Sequence, residues 1–468
     1  MKAFTFLLII LAFSLQTMAE KVIISGTTPS YAGTNLKVKF HSESFTYNDQ
    51  QLAEFKVDAD GNFSCEFDLD QTQLVFIPLG IYKGFVYLEP GKEYELKFPP
   101  KQELSPAQKL NPFFEADELM LGVANADSEE LNLMIRKLDD KMDSFINQNF
   151  HKIYRKKEKS IGNDFSKELN NDYKSTENTF FKEYLKYRLG FLEFLAYPNS
   201  FLKIEEKYFL DQELQLKNPA YVSLYKKQYG NFLNGYFKQK ESANLSAAFK
   251  SETTFKALTA LMKKYPAYQN SQLRNMIIAS SIFDSYTRKF ISKGKTLSIL
   301  KDLKQNTQNS YNKNLSSNYI AKITHLQKNY PAPNFTIGDH SLANYKGKYL
   351  YLNFCNTQSY PCVQDFKEIE KLKQQFGQHI EFLSIACNWN ENTVLDFLQK
   401  NAYSWPIVPI GDQHQLIHQY KVKAFPSYVL IDPSGNIAKA PAAGPKENIR
   451  MEFIKIARDA ARKSYNKQ

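Results

Sequence analysis

The chain has 468 residues, of which 43% are hydrophobic and 23% are charged, and its formal net charge is +11. This length predicts about three domains, and the four cysteines are too few for a fold held together by disulfides. The positive charge is spread along the chain without a recognised nucleic-acid-binding motif, which argues against nucleic acid as a partner. A weak attraction to acidic surfaces stays open.

Residues 1–19 have the layout of a secretory signal peptide. Lys2 supplies a positive charge, residues 4–13 form a short apolar core, and Thr17-Met18-Ala19 offers a cleavage site. The apolar core is too short to cross a bilayer, and no later segment is long and apolar enough, so we expect no membrane span. The pattern predicts export to the periplasm or cell envelope, and a buried amino-terminal helix is the alternative.

Residues 20–104 are predicted to form a β-sandwich. Hydrophobic and polar residues alternate on both sides of Asp60-Gly61, which we expect to form the turn of a hairpin. A second turn is predicted at Pro90-Gly91. Cys65 shares a face with Phe63 in this alternation, so it is expected to be a buried thiol that packs like a small hydrophobic residue.

Residues 105–328 are predicted to form a helical domain. Their hydrophobic residues recur at helical spacing, most clearly at Phe180, Phe181, Tyr184, Leu185, Leu189, Leu192 and Leu195. The few prolines in this part are expected at helix boundaries. No constellation of catalytic residues stands out, and the sequence does not indicate what this domain does.

Residues 329–468 alternate between strand and helix patterns, which predicts a mixed α/β sheet. Strands are expected at 349–354, 380–386 and 425–432, and helices at 361–376, at about 393–400 and from about 446. The expected fold class of the whole chain is therefore multidomain α+β, with a sandwich, a helical middle domain and a carboxy-terminal α/β domain.

One segment of this last domain carries the strongest signal. The apolar strand ending at Phe354 is followed by a short loop and then by Ser359-Tyr360-Pro361-Cys362 at the start of a helical pattern. It resembles the active-site segment of the TlpA/ResA-like family of thioredoxin-fold envelope proteins, and the lead-in Ala332-Pro333-Asn334-Phe335 is similar too. The resemblance implies thiol–disulfide exchange with envelope proteins or thiol-containing substrates, without a cofactor.

This sequence departs from the family's Trp-Cys-x-Pro-Cys motif. Gln358 stands in place of the tryptophan and Ser359 in place of the first cysteine, while Cys362 matches the second. Pro426 matches the family's cis-proline, and an ordinary trans proline is the alternative. Because a hydroxyl cannot replace the nucleophilic thiolate, we expect the dithiol activity to be weakened or lost. The alternative function is a non-catalytic binding or scaffold protein of the cell envelope.

Cys355 and Cys387 each follow a predicted strand, and in this fold the two strands are parallel neighbours. Three interpretations stay open: separate reduced thiols, a structural bridge between Cys355 and Cys387, and a rearranged redox pair of Cys355 and Cys362. If single-thiol chemistry survives, Cys362 is expected to be the most reactive thiol because of its place in the first helical turn.

Two other readings of this domain are weaker. Ser359-x-x-Cys362 is similar to the peroxiredoxin motif, but Cys355 replaces the expected proline and this domain has no arginine before Arg450. His414 and His418 have helical spacing, but Asp412 is the only nearby candidate for a third ligand, so no metal site is expected. The sequence indicates neither the substrate nor the oligomeric state.

Overall fold

The computed structural model describes residues 19–111, 113–156, 159–196, 201–230, 232–233, 254–388 and 390–465. The predicted signal peptide lies outside the described residues except for Ala19. The chain divides into two compact units, one formed by residues up to Gln102 with Asp117–Ile320, and the other by Glu103–Ala116 with Ala321–Gln468. The division into three domains stays a prediction.

The first unit contains two β-sheets. Its strands are β1 (Glu20–Thr27), β2 (Asn35–His41), β3 (Asp49–Lys56), β4 (Asn62–Leu69), β5 (Gln73–Leu79), β6 (Tyr82–Leu88), β7 (Glu93–Lys97), β8 (Asp117–Met120) and β9 (Gly122–Val123). One sheet has the order β4-β1-β7-β9 and the other the order β3-β2-β5-β6-β8. Both sheets contribute to a single hydrophobic core, because alternate residues of each strand point to the same side.

The hairpin predicted at Asp60-Gly61 is wrong. Strand β3 pairs with β2 and strand β4 pairs with β1, so the turn carries the chain from one sheet to the other. Gly61 has a φ of +87°, and a Cβ there would lie 2.6 Å from the Cα of Pro29. The crossing lets Phe55 and Phe63 stack within the shared core, with ring centroids 4.9 Å apart.

The rest of the first unit is helical. Its helices are α2 (Leu131–Gln148), α3 (Lys159–Asp172), α4 (Thr179–Ala196), α5 (Phe201–Tyr208), α6 (Pro219–Tyr229), α7 (Phe255–Met262), α8 (Ser271–Thr287), α9 (Lys293–Asn306) and α10 (Ser310–Thr324), while α1 (Pro106–Lys109) belongs to the second unit. Most of the apolar stripe predicted on α4 is buried. Among the described residues, no helix is both long and apolar enough to cross a membrane.

The second unit is built around a five-stranded mixed sheet. Its strands are β10 (Thr336–Ile337), β11 (His340–Ser341), β12 (Tyr349–Cys355), β13 (Ile380–Ala386), β14 (Ile407–Pro409), β15 (Ser427–Ile431) and β16 (Ile437–Lys439), and its remaining helices are α11 (Tyr360–Phe376), α12 (Glu391–Lys400), α13 (Gln415–Gln419) and α14 (Ile449–Tyr465). The sheet has the order β14-β13-β12-β15-β16. The predicted α/β alternation is therefore present, with the strands β10, β11, β14 and β16 and the helix α13 as additional elements.

Each face of this sheet has its own hydrophobic core. Helices α11 and α14 pack on the face that carries Tyr351 and Phe382, and α13 packs on the face that carries Leu352 and Leu383. Strand β12 runs parallel to β13 and antiparallel to β15. The carboxyl ends of β12, β13 and β14 thus share one edge, where α/β proteins commonly place reactive groups.

Candidate active site

The loop between β12 and α11 lies at this edge. Strand β12 ends at Cys355, and α11 begins at Tyr360 with Pro361 in its first turn and Ser359 as the residue that precedes the helix. Proline suits this place because a backbone N–H in the first turn of a helix has no acceptor within the helix, so its absence costs nothing. The start of the helix therefore presents Ser359 where the family motif has its nucleophilic cysteine.

Cys362 is the cysteine of the motif that remains, and its side chain is fully buried. Burial raises the pKa of the Cys362 thiol, and the charge of Asp365 raises it further. Hydrogen bonds from the backbone N–H of Asn356, 3.3 Å from the sulfur, and from the Ser359 hydroxyl act in the opposite direction. Because the pKa is raised on balance, Cys362 is a protonated thiol at neutral pH.

Pro426 lies close to this loop because of the strand register. Phe354 pairs with Ser427 in the antiparallel ladder of β12 and β15, so Pro426 comes opposite Cys355. The Phe425–Pro426 peptide bond is cis, in agreement with the resemblance. The structure thus brings Ser359, Cys362 and Pro426 to the same edge of the sheet.

Cys355 and Cys387 also lie at this edge, on neighbouring parallel strands. Cys355 pairs with Ala386, and the N–H of Cys387 donates to the carbonyl of Cys355 at 2.6 Å. Their side chains nevertheless join different cores, since Cys355 packs with Cys362 on the α11 side and Cys387 packs on the α13 side. Both are fully buried free thiols, and burial raises both pKa values. Of the three interpretations that the sequence left open, separate reduced thiols is the one that matches the structure.

The burial of Cys362 changes the expected order of thiol reactivity. Cys65 is only partly buried in β4, whereas the other three cysteines are buried completely. Burial raises the pKa of the Cys65 thiol as well, but its sulfur can be reached without opening the core. The structure therefore does not support Cys362 as the most reactive thiol, although its position in the first helical turn suggested this.

We expect iodoacetamide to alkylate Cys65 at least about tenfold faster than Cys362 in the folded protein at pH 7.5, because access limits the reaction of a buried thiol. Mass spectrometry of peptides from a time course measures both rates. In urea the four thiols should react at similar rates, which controls for peptide detection. Faster native labelling of Cys362 would show that the helix start opens readily.

A second group of residues, which the sequence did not point to, fixes the acid beside Cys362. The Tyr428 hydroxyl donates to the Asp365 carboxylate at 2.7 Å, and Lys446 lies 3.5 Å from the same carboxylate. The Tyr428 ring stacks on Tyr351 with 5.2 Å between centroids. Burial and the hydrogen bond to Asp365 raise the pKa of Tyr428. The sequence placed Tyr428 within the predicted strand at 425–432 but gave no sign of its hydrogen bond to Asp365.

A third group holds the loop itself. Asn388 is buried after β13, and its side-chain oxygen accepts from the N–H of Thr357 at 3.0 Å. Its amide group donates to the hydroxyls of Thr357 and Thr393, at 2.7 and 2.9 Å. These bonds join the β12–α11 loop to the β13–α12 loop and fix the backbone that leads to Ser359. In the sequence, only the place of Asn388 shortly after the predicted strand at 380–386 could have pointed to this role.

Among the described residues, the structure adds no catalytic residue to the peroxiredoxin-like motif and no metal ligand to the pair of His414 and His418. Arg450 is an exposed residue of α14, and His418 is exposed on α13. Within the described part of the chain, no group of three or more His, Cys, Asp or Glu side chains is arranged to hold a metal ion.

Comparisons with known proteins match the part of the chain that carries this site. Residues 323–440 match the family model described as AhpC/TSA family. The thiol-disulfide oxidoreductase ResA of Halalkalibacterium halodurans is 29% identical over 151 residues, which are 31% of this chain and 85% of that protein. The ResA protein of Bacillus subtilis is 25% identical over 131 residues, covering 27% of this chain and 73% of that protein.

Among solved structures, a putative thiol-disulfide oxidoreductase from Bacteroides vulgatus is 26% identical. The match covers 27% of this chain and 94% of the Bacteroides vulgatus chain, with a TM-score of 0.25. The two ResA relatives are thiol-disulfide oxidoreductases, and the family model lies on the unit that carries Ser359 and Cys362. The carboxy-terminal part of this chain is a thioredoxin-like domain that is similar to the TlpA/ResA-like family.

Proposed function

We propose that this protein is an exported relative of the envelope thiol–disulfide oxidoreductases whose dithiol activity is weakened or lost. The proposal rests on the placement of the two motif residues, Ser359 and Cys362. Ser359 occupies the start of α11, where an attacking thiolate would stand, and the remaining Cys362 is buried as a protonated thiol. The degenerate motif therefore lacks a group that can begin the reaction.

Disulfide reduction by a thiol pair needs two steps. An accessible thiolate first attacks a substrate sulfur, forming a mixed disulfide and releasing the other substrate sulfur as a thiolate, and a second thiol then attacks that mixed disulfide. The Ser359 hydroxyl cannot supply the first thiolate. Cys362 is suited only to the second step, because it lies under the loop with Asn356 and Ser359 around its sulfur.

The architecture we infer around this domain has three parts. A β-sandwich at 20–104 and a helical domain at 105–328 precede the thioredoxin-like domain at 329–468, with a signal peptide at 1–19. The short strands β8 and β9 fall within the segment expected to be helical and add to the two sheets of the sandwich. Support comes from the single core shared by the two amino-terminal sheets and from the signal-like sequence at the amino terminus. Thiol-containing proteins of the periplasm or cell envelope are the partners that suit a protein of this kind.

We expect the unmodified protein to reduce insulin disulfides, with dithiothreitol as reductant, no faster than the background reaction. Turbidity of the released insulin B chain measures the rate, and Cys362→Ser serves as the matched variant without the motif cysteine. Both proteins should give the same low rate, because neither has a thiolate at the helix start. Rapid turnover by the unmodified protein that Cys362→Ser abolishes would contradict the proposed loss of activity.

A further inference from the structure

A short connection between α2 and α3 has an unusual conformation and composition. Residues His151–Lys156 form one π-helical turn, a rare geometry that proteins often keep at functional positions. Ile153 is fully buried, whereas the other residues of this turn are exposed. The buried isoleucine anchors the turn, so the remaining side chains are held outward. We call residues 150–156 the basic-aromatic turn.

Two aromatic rings stand on the outside of this turn. Phe150 is 53% exposed and Tyr154 is 36% exposed, and the rings stack on each other with centroids 4.6 Å apart. Their spacing of four residues puts them on one side of the helical path. The pair forms an exposed amphipathic surface, since the phenylalanine side chain is wholly apolar and the tyrosine side chain ends in a hydroxyl.

Positive charge surrounds the aromatic pair. Lys152, Arg155 and Lys156 are exposed within the turn, and no aspartate or glutamate occurs from residue 144 to residue 156. The sequence from 151 to 159 has five lysines and arginines against one glutamate. Acidic residues do line the neighbouring cleft between α2 and α3, at Asp140, Asp164 and Glu168. The positive charge is therefore concentrated at the turn and does not extend over the neighbouring cleft between α2 and α3.

We propose that the basic-aromatic turn docks this protein on an anionic phospholipid surface. Lysine and arginine near such a surface are attracted to the lipid phosphates, and aromatic rings settle at the level of the head groups. A lipid surface is favoured over single-stranded nucleic acid, because the acidic residues of the neighbouring cleft interrupt the basic surface along which a strand would run, and the sequence carries no recognised nucleic-acid-binding motif. This binding does not depend on the thiol chemistry of the other unit.

Flotation with vesicles tests the proposal on the full-length protein. Vesicles of phosphatidylcholine with about 30% phosphatidylglycerol are compared with pure phosphatidylcholine, each at low and high salt. We expect binding to the anionic vesicles only, weakened by salt. The double variant Lys152→Glu/Arg155→Glu should bind at least about 20-fold more weakly, since each charge near the surface contributes about a fivefold factor.

Two matched variants separate the turn from the general positive charge of the chain. Lys301→Glu/Lys304→Glu reverses two exposed lysines of α9 with the same spacing and should bind like the unmodified protein. Phe150→Ala should weaken binding about fivefold, whereas Phe290→Ala, which removes another exposed ring, should not. All variants carry the same amino terminus, so its apolar residues cannot produce the difference.

Three outcomes would overturn the proposal. The first is equal binding to neutral and anionic vesicles, and the second is an equal loss of binding in the two charge-reversal variants. The third is binding of single-stranded DNA that depends on the turn while the anionic vesicles are ignored.

Discussion

Ser359→Cys is expected to give this protein a disulfide-reducing activity at least about tenfold above that of the unmodified chain. The new thiol would stand at the start of α11, where the helix dipole and free N–H groups lower a thiol pKa and raise the thiolate fraction at neutral pH. Ser359 directly precedes α11 and Cys362 lies in its first turn, so a sulfur at position 359 would stand one helical turn from the Cys362 sulfur. The insulin turbidity assay measures the gain.

Two variants show whether the gain comes from a cysteine pair. Ser359→Ala removes the hydroxyl without adding a thiol and should stay at the background rate. Ser359→Cys/Cys362→Ser keeps the new nucleophile but lacks the second thiol, so it should accumulate mixed disulfides and turn over slowly. If Ser359→Cys folds and stays as inactive as Ser359→Ala, features other than the missing cysteine, such as the ion pair of Asp365 with Lys446, suppress the activity.

The second large effect expected is cooperative unfolding of the first unit between about pH 10 and pH 12. Burial raises the pKa of many of its tyrosines above 10, among them Tyr87, Tyr94, Tyr184, Tyr187, Tyr208, Tyr221, Tyr225 and Tyr229. A group whose pKa is higher in the folded state contributes stability that is fully present below its unfolded pKa. That stability is lost as the pH rises, because the unfolded chain then releases protons that the folded chain retains.

The size of this effect follows from the number of tyrosines involved. One pH unit above the unfolded pKa, each buried tyrosine costs about 1.4 kcal/mol of folding free energy. A handful of them therefore cancels the 5–15 kcal/mol that stabilises a typical domain. Far-ultraviolet circular dichroism and tyrosinate absorbance near 295 nm should change together. If absorbance rose fully near pH 10 while the helical signal persisted, the tyrosines would be titrating in the folded state.

Tyr221→Phe offers a sharp test of the same linkage. The Tyr221 hydroxyl is buried and has no hydrogen-bond partner among the residues that the structure describes, so its removal should leave stability at pH 7 unchanged or slightly higher. At pH 11 the variant should be more stable than the unmodified protein by about 1.4 kcal/mol. Tyr360→Phe, at a residue that is 75% exposed, should shift neither value. Urea titrations at both pH values measure the differences.

Local sequence patterns determined much of the carboxy-terminal domain. The apolar run at 349–354, the helical spacing after Pro361 and the alternation at 425–432 depend on neighbours in sequence, and the corresponding elements β12, α11 and β15 are present. The motif around Ser359 and Cys362 could be recognised for the same reason. The sequence alone therefore identified the thioredoxin-like fold, and the replacement of the first motif cysteine by Ser359 stays a prediction from it.

Tertiary structure alone decided which partners these elements meet. Asp60-Gly61 was recognisable as a turn, but whether it joins two paired strands or two sheets depends on long-range pairing, which places β3 and β4 in different sheets. Cys355 and Cys387 follow adjacent strands, yet side-chain alternation in this register sends them to opposite faces.

Burial was likewise beyond the reach of the sequence. Cys362 sits in a helical turn that lowers thiol pKa values in general, but the covering loop and core remove its sulfur from water and raise the pKa. Desolvation depends on every atom packed around a group, and those atoms come from distant parts of the chain. The chemistry open to Cys362 is therefore decided by the packing of β12, α11 and the loop between them, although its position in the motif is plain in the sequence.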